Sequence, residues 1–321
     1  MSRRGEQPVV PPARVRSYYG QPVLKPPTWK TPDVPAYLFL GGLAGAAAPM
    51  GLLGELTGRP ALARAGRLAA VAGAAGGSGV LIHDLGRPGR FLNMLRTLKP
   101  TSPLSVGSWV LASFGALSGA AAVPTITGRL RGPGRLAGIG SAMLGPAVMT
   151  YTAVLLADTA VPAWHDAYRH LPFTFAGSAL GSGAGVGLIA APTAQAGPAR
   201  GMAMAGAVME LVAQRRIDRL GLVAEPYRRG RSGRLMWVGR ALTVAGTAGA
   251  VAGHRSRLAS AVAGVALLAG SVVTRWGVFE AGRASAADPV YTVVPQRERL
   301  AQRAAAASQV SAPPSVAGTL G

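Results

Sequence analysis

Between Val34 and Ala281 the chain runs as a succession of apolar stretches, each closed by Pro, Gly or Arg, and this pattern leaves few folds open. An α-helix must supply about 20 mostly apolar residues to cross the hydrocarbon core of a bilayer. Eight segments approach that length, over 34–56, 62–82, 105–127, 134–158, 172–194, 198–214, 235–253 and 257–281. The sixth is short, and the second carries Arg64 and Arg67 in its first turns. The expectation is an all-α polytopic membrane protein, a bundle of eight transmembrane helices with both chain ends on one side.

Composition agrees. The sequence is 49% hydrophobic and only 14% charged, whereas a soluble domain carries roughly a quarter charged residues. The spans are rich in Gly and Ala, as in Gly73-Ala-Ala-Gly-Gly and Gly181-Ser-Gly-Ala-Gly. Small residues let helices approach closely where no hydrophobic force drives them together, so a tight bundle is expected. Three regions follow: a basic, Pro-rich tail over 1–33 read as disordered, a membrane domain over 34–281, and a polar segment over 282–321. Within the last, Leu300-Ala-Gln-Arg-Ala-Ala-Ala-Ala-Ser can continue as a short exposed helix or stay disordered.

The net charge of +21 is placed in short loops and tails instead of a stripe with interleaved aromatics. That placement argues against a nucleic-acid partner and for membrane topology and contact with anionic lipid. Of the Lys and Arg residues, 22 fall on the side of the two tails and nine on the other. By the positive-inside rule both termini are cytoplasmic, in the inner or plasma membrane of the cell. The longer connections also lie on the tail side, where a peripheral partner would dock.

Cysteine is absent, which excludes disulfides, thiolate-held iron–sulfur clusters and Cys-bound zinc within this chain. His83, His165, His170 and His254 all fall at helix ends or in loops, and haem bound between helices needs paired ligands facing each other inside them. Neither haem nor an iron–sulfur cluster is expected here.

The most informative stretch is His83-Asp-Leu-Gly-Arg-Pro-Gly-Arg-Phe-Leu-Asn-Met-Leu-Arg, followed by Lys99-Pro-Thr-Ser-Pro-Leu-Ser-Val-Gly-Ser-Trp109. It reads as a helix end, a turn fixed by Gly86 and Pro88, a short basic amphipathic segment at the interface, and a Pro-bounded entry into the third span. Asp84 beside Arg87 and Arg90 can form a half-buried ion pair at a pocket rim; interfacial anchoring by the arginines alone is the plainer alternative.

This stretch resembles the signature loop of the NrfD/PsrC family, the membrane subunits of polysulfide reductase and related complexes. Tyr37-Leu-Phe-Leu-Gly-Gly is similar to the family's first span, Tyr151-Thr-Ala-Val-Leu-Leu to its fourth, and Gly282-Arg-Ala-Ser-Ala-Ala-Asp-Pro to its C-terminal segment. The resemblance implies a quinone-interacting subunit that exchanges electrons between menaquinone or ubiquinone and a ferredoxin-like 4Fe-4S subunit, itself attached to a molybdopterin-type catalytic subunit. It also implies a quinone-binding tyrosine at Tyr151, in the tail-side half of the fourth span, whose hydroxyl both donates and accepts hydrogen bonds.

Further quinone contacts in the family come from the start of the first span, which holds Trp29, Thr31, Asp33 and Tyr37 here, without the His or Asn of some members. His83, Asp84 and Arg87 complete the expected pocket on the same face, with His83 able to exchange protons near neutral pH. Arg90, Asn93, Arg96 and Lys99 are the expected partner-docking residues.

Ionisable residues in spans are costly and so are functional candidates. Glu55 lies toward the far side; Asp158, Glu210 and Glu280 lie toward the tail side, with Arg240 and Arg275. These carboxylates could form a proton path, or Glu210 and Glu280 could pair structurally with Arg240 or Arg275. Arg275 and Glu280 stand five apart, poorly placed for each other on one helix. No line of carboxylates joins the two membrane faces, so the sequence does not support active pumping. Two other readings remain: a transporter or channel with a site at the Gly-rich runs, and a passive anchor with no quinone site.

Overall fold

The computed structural model of the protein describes residues 23–25, 27–86 and 89–310, with the backbone alone for Arg90, Leu92 and 306–310. The described residues form helices joined by turns and short loops, without a strand. In chain order the helices are α1 (Asp33–Leu56), α2 (Pro60–Asp84), α3 (Gly89–Met94), α4 (Pro103–Thr127), α5 (Arg131–Ala157), α6 (Pro162–Asp166), α7 (Leu171–Ala190), α8 (Gly197–Ile217), α9 (Glu225–Arg228), α10 (Gly230–Ala252), α11 (Arg257–Ala287) and α12 (Val290–Val310).

Their ends are written in the sequence. Pro occupies the first turn of α2, α4, α6, α7 and α8, where its missing N–H has no intrahelical partner to lose. Ser102 and Ser256 cap α4 and α11 by accepting from the amides of Ser105 and Ala259. Gly128, at φ +73°, closes α4 in a conformation that costs other residues energy.

Seven helices, α1, α2, α4, α5, α7, α10 and α11, are long and apolar enough to cross a membrane. The chain is a multi-pass membrane protein. α8, the sixth expected span, has 21 residues but carries Glu210, Gln214, Arg215 and Arg216 in its second half and falls below that apolar standard. All eight expected segments coincide with helices to within a few residues. α11 runs past the expected end at 281 to Ala287, and α12 begins ten residues before Leu300, where the sequence left a short helix or disorder open. Residues 1–22 of the expected disordered tail lie outside the described residues.

Antiparallel neighbours pair as α1 with α2, α4 with α5, α7 with α8 and α10 with α11, and α1 packs across to α5, α7 and α11. α1 and α7 are therefore the most enclosed helices. Backbone proximity sets these pairings: a Cβ on Gly66 of α2 would lie 2.4 Å from the Gly51 nitrogen of α1, and one on Gly145 of α5 would lie 2.4 Å from the Gly45 carbonyl oxygen. Only glycine permits such approaches, and they fix the register of α2 and α5 against α1. The connecting helices α3, α6 and α9, and α12 after them, gather on the tail side.

Candidate functional site

The register of the α1–α2 pair brings the first residue of α1 opposite the end of α2. There Nδ1 of His83 lies 3.0 Å from Oδ2 of Asp33. The imidazole is largely in solvent, at 78% exposure, while the Asp33 carboxylate is mostly covered, at 14%. One turn further into α1, Tyr37 is buried, its ring close to Gly77 of α2. Two of the expected pocket residues are thus in direct contact, and a third lies beneath them.

Tyr151 reaches the same region from α5. A Cβ on Gly107 of α4 would stand 2.6 Å from two carbons of its ring, so α4 presents a bare backbone face to the phenol. The ring packs against the apolar cluster that contains Tyr37, Leu38 and Leu111, and against a second containing Ala44, Phe114 and Val148. Its hydroxyl oxygen is buried and has no hydrogen-bond partner among the described residues. Thr152 beside it, fully buried, also has an unpartnered hydroxyl. Most buried polar atoms in proteins are bonded, and leaving one unmade costs about 1–3 kcal/mol. An apolar setting with an orphaned donor–acceptor suits a quinone, which offers carbonyl oxygens on an apolar ring.

The segment before α1 turns toward the other half of the molecule. Trp29 stacks on Trp164 of α6, ring centroids 5.5 Å apart, and Trp164 donates from Nε1 to the Val278 carbonyl at 2.8 Å. Tyr227 of α9 donates to the Ala163 carbonyl at 2.9 Å. Thr31 accepts from Arg283 at 3.3 Å. Of the four residues expected at the start of the first span, Asp33 and Tyr37 face α2, while Trp29 and Thr31 engage α6 and α11.

The described parts of the signature loop include the expected helix end, short helix and Pro-bounded entry into the next span, while Pro88 of the expected turn lies outside the described residues. Gly86, at φ +69°, turns the chain out of α2, a short α3 follows, and α4 begins at Pro103. Ser105 ties the loop down: its hydroxyl donates to the Thr97 carbonyl and accepts from the Lys99 amide at 3.0 Å. Asn93, Arg96 and Lys99 are exposed. Arg87 lies outside the described residues, as does the side chain of Arg90, and with them the expected ion pair to half-buried Asp84.

With the loop, the spans and the tyrosine in place, the comparison with known families is decisive: a family model described as polysulfide reductase, of NrfD type, matches residues 16–288. The chain belongs to the NrfD polysulfide reductase family. No curated protein matches the chain. The NrfD match covers α1 to α11 and ends before α12.

The remaining carboxylates of this NrfD-family chain sit in separate networks. Glu210, buried in α8, accepts from Gln214 at 3.0 Å, from Thr274 of α11 at 2.8 Å and from Thr243 of α10 at 3.3 Å. The Gln214 oxygen in turn accepts from Arg240, which pairs with Asp218 at 2.8 Å. A polar line therefore runs along one face of α8 from Glu210 through Gln214 to Asp218, at the tail-side end of the helix. Glu280 pairs with Arg283 at 3.5 Å, Asp158 is exposed at the end of α5, and Glu55 lies on the opposite face between Arg67 and Arg135.

The pairing expected of Glu210 or Glu280 with Arg240 or Arg275 is replaced by these contacts. Arg275, fully buried, instead donates to the Phe175 carbonyl at 2.6 Å and lies 3.9 Å above that residue's ring. Sequence reading missed Gln214, Asp218, Thr243 and Thr274. The spacing of 210, 214 and 218 on one helix face was the available signal for the first two.

Outside the spans, burial and then the charges of Arg216 and Arg169 hold His170 below its usual imidazole range. Burial, then Glu225 and Asp288, keep the Tyr291 phenol above its ordinary value. Both are neutral near pH 7, His170 beside α8 and Tyr291 in the first turn of α12.

Proposed function

We propose that the protein is the membrane subunit of an oxidoreductase complex and exchanges electrons between a partner 4Fe-4S subunit and membrane quinone, menaquinone or ubiquinone, held at Tyr151. The observation that carries this is the buried, unpartnered hydroxyl of Tyr151, set among apolar side chains of α1, α4 and α5 near the signature loop. Bound there, a quinone would take up two electrons and two protons to become quinol, or release them in reverse. The Tyr151 hydroxyl supplies an O–H to a carbonyl oxygen and accepts from a quinol hydroxyl. Tyr37, Leu38 and Leu111 exclude water around it. Asp33 orients the exposed imidazole of His83, whose ring nitrogens hold and pass a proton between that face and solvent. Asp84 and Arg87 complete the rim.

In this reading the membrane domain spans 34–281, with 1–33 and 282–321 as flanking segments, and α8 is the sixth of eight crossings. Its 21 residues rise about 31 Å, and its polar face is covered by α10 and α11 instead of lipid. The termini lie in the cytoplasm. The iron–sulfur subunit, joined to a molybdopterin-type catalytic subunit, docks on the same face at Arg90, Asn93, Arg96 and Lys99. The polar line from Glu210 to Asp218, with Glu280 and Asp158 nearby on the tail side, gives protons a route to that face; Glu55 stands apart from it.

Affinity purification of the tagged full chain from native membranes tests the reading. Recovery with iron–sulfur and molybdopterin subunits, in a complex that reduces or oxidises quinone, is expected. A chain that purifies alone and moves a solute across liposomes would overturn it.

A further inference from the structure

On the face opposite Tyr151, the ends of α1 and α4 and the starts of α2 and α5 enclose a cleft of about 550 Å³. Five arginines line it, Arg59, Arg64, Arg67, Arg131 and Arg135, against the single carboxylate of Glu55. Glu55 pairs with Arg67 and, at 3.2 Å, with Arg135. Arg59 is held by the Thr57 carbonyl at 3.1 Å. Arg64 and Arg131 have no ion-pair or hydrogen-bond partner among the described residues, and the Thr125 hydroxyl in the cleft wall is buried without a partner. The excess of positive charge is thus built around one carboxylate shared by two arginines and leaves the guanidinium groups of Arg64 and Arg131 available to an anion.

What borders the cleft narrows the anion. Leu136, Ile139 and Met143 follow Arg135 along one face of α5 and are 72%, 37% and 76% exposed. Leu56 and Ile126, at the ends of α1 and α4, are 64% and 71% exposed. Cationic groups therefore stand at the level of the helix ends, and an apolar stripe leads from them toward the membrane interior. A small free anion would use the first and leave the second unexplained. Guanidinium forks match phosphate oxygens in geometry and charge.

We propose that this cleft is a specific site for an anionic phospholipid of the leaflet on that side, its phosphodiester held by Arg64 and Arg131 and its acyl chains along Leu136, Ile139 and Met143. A phospholipid whose phosphate carries its own compensating cation, such as phosphatidylcholine, gains less from the unpaired arginines. The site is independent of the quinone reading, since it shares no residue with it.

Native mass spectrometry of the delipidated full chain, titrated with phosphatidylglycerol or phosphatidylcholine, tests the proposal. Phosphatidylglycerol is expected to bind more tightly, and R64Q/R131Q to lose about fivefold in affinity for each arginine removed. R231Q/R234Q, which removes exposed tail-side charge, is expected to bind as the parent does. R131Q alone serves if the double variant does not fold, with a loss of about fivefold. Equal binding of the two lipids, or phosphatidylglycerol binding untouched by R131Q, overturns the site. Displacement of phosphatidylglycerol by millimolar inorganic phosphate would make it a free-anion site and overturn the lipid assignment.

Discussion

His83 and Asp33 meet at 3.0 Å although 50 residues separate them, and the contact joins the end of α2 to the start of α1 at the membrane surface. Because the imidazole is largely exposed, solvent screens the pair. D33N and H83N are each expected to change stability by less than about 1 kcal/mol, read as thermal unfolding in detergent. The pH profile of quinone turnover in the complex is expected to change shape in both variants. A large loss of stability with an unaltered profile would assign the pair to architecture alone.

Backbone proximity in the α1–α2 seam makes a sharper claim about packing. Gly66→Ala places a methyl 2.4 Å from the Gly51 nitrogen, and overpacking of this kind costs about 1–3 kcal/mol. Gly79→Ala, on the same helix with open space around it, is expected to leave the midpoint unchanged or raise it slightly. Equal effects at the two positions would mean that the helices are not so close.

Glu210 is satisfied by three donors, and the type of substitution should matter more than the loss of charge. Glu210→Leu strands Gln214, Thr243 and Thr274, at about 1–3 kcal/mol for each buried donor left unmade. Glu210→Gln retains an acceptor oxygen and is expected to cost less. Chemical unfolding of both variants in micelles checks the order, and the reverse order would contradict the network.

Trp164 holds the segment before α1 against α6 and α11 through Trp29, Phe279 and the Val278 carbonyl. Trp164→Ala is expected to lose about 3–5 kcal/mol, as for a large buried aromatic. Trp29→Ala, removing a half-buried ring that only stacks, is expected to lose distinctly less. Comparable losses would contradict the central position of Trp164.

The helices were legible because lipid demands a length and a composition that seven runs of the chain display, with Pro, Gly and Ser at many of their ends. α8 shows where composition stops being sufficient: its apolar standard fails through Glu210, Gln214, Arg215 and Arg216, and two of these are polar because neighbouring helices shield them. The length of α12 was hidden by Pro289, Pro295 and a polar composition. The loop from Asp84 to Trp109 identified the family because its Gly, Pro and Arg spacing is local. The partners of Arg240, Arg275 and Glu55 were not legible, since helix rotation and crossing decide which side chains meet. Arg275 turning to a carbonyl and an aromatic ring, in preference to a carboxylate, is a tertiary outcome with no local signal.

The central claim rests on one hydroxyl. Tyr151→Phe removes an oxygen that has no partner among the described residues, so the variant should fold and assemble at least as well as the parent. Quinone turnover by the complex carrying it, measured with the catalytic subunit's own electron donor, is expected to fall about tenfold or more, as for loss of a positioned proton donor. Turnover equal to the parent's in an intact complex would contradict a quinone site at Tyr151.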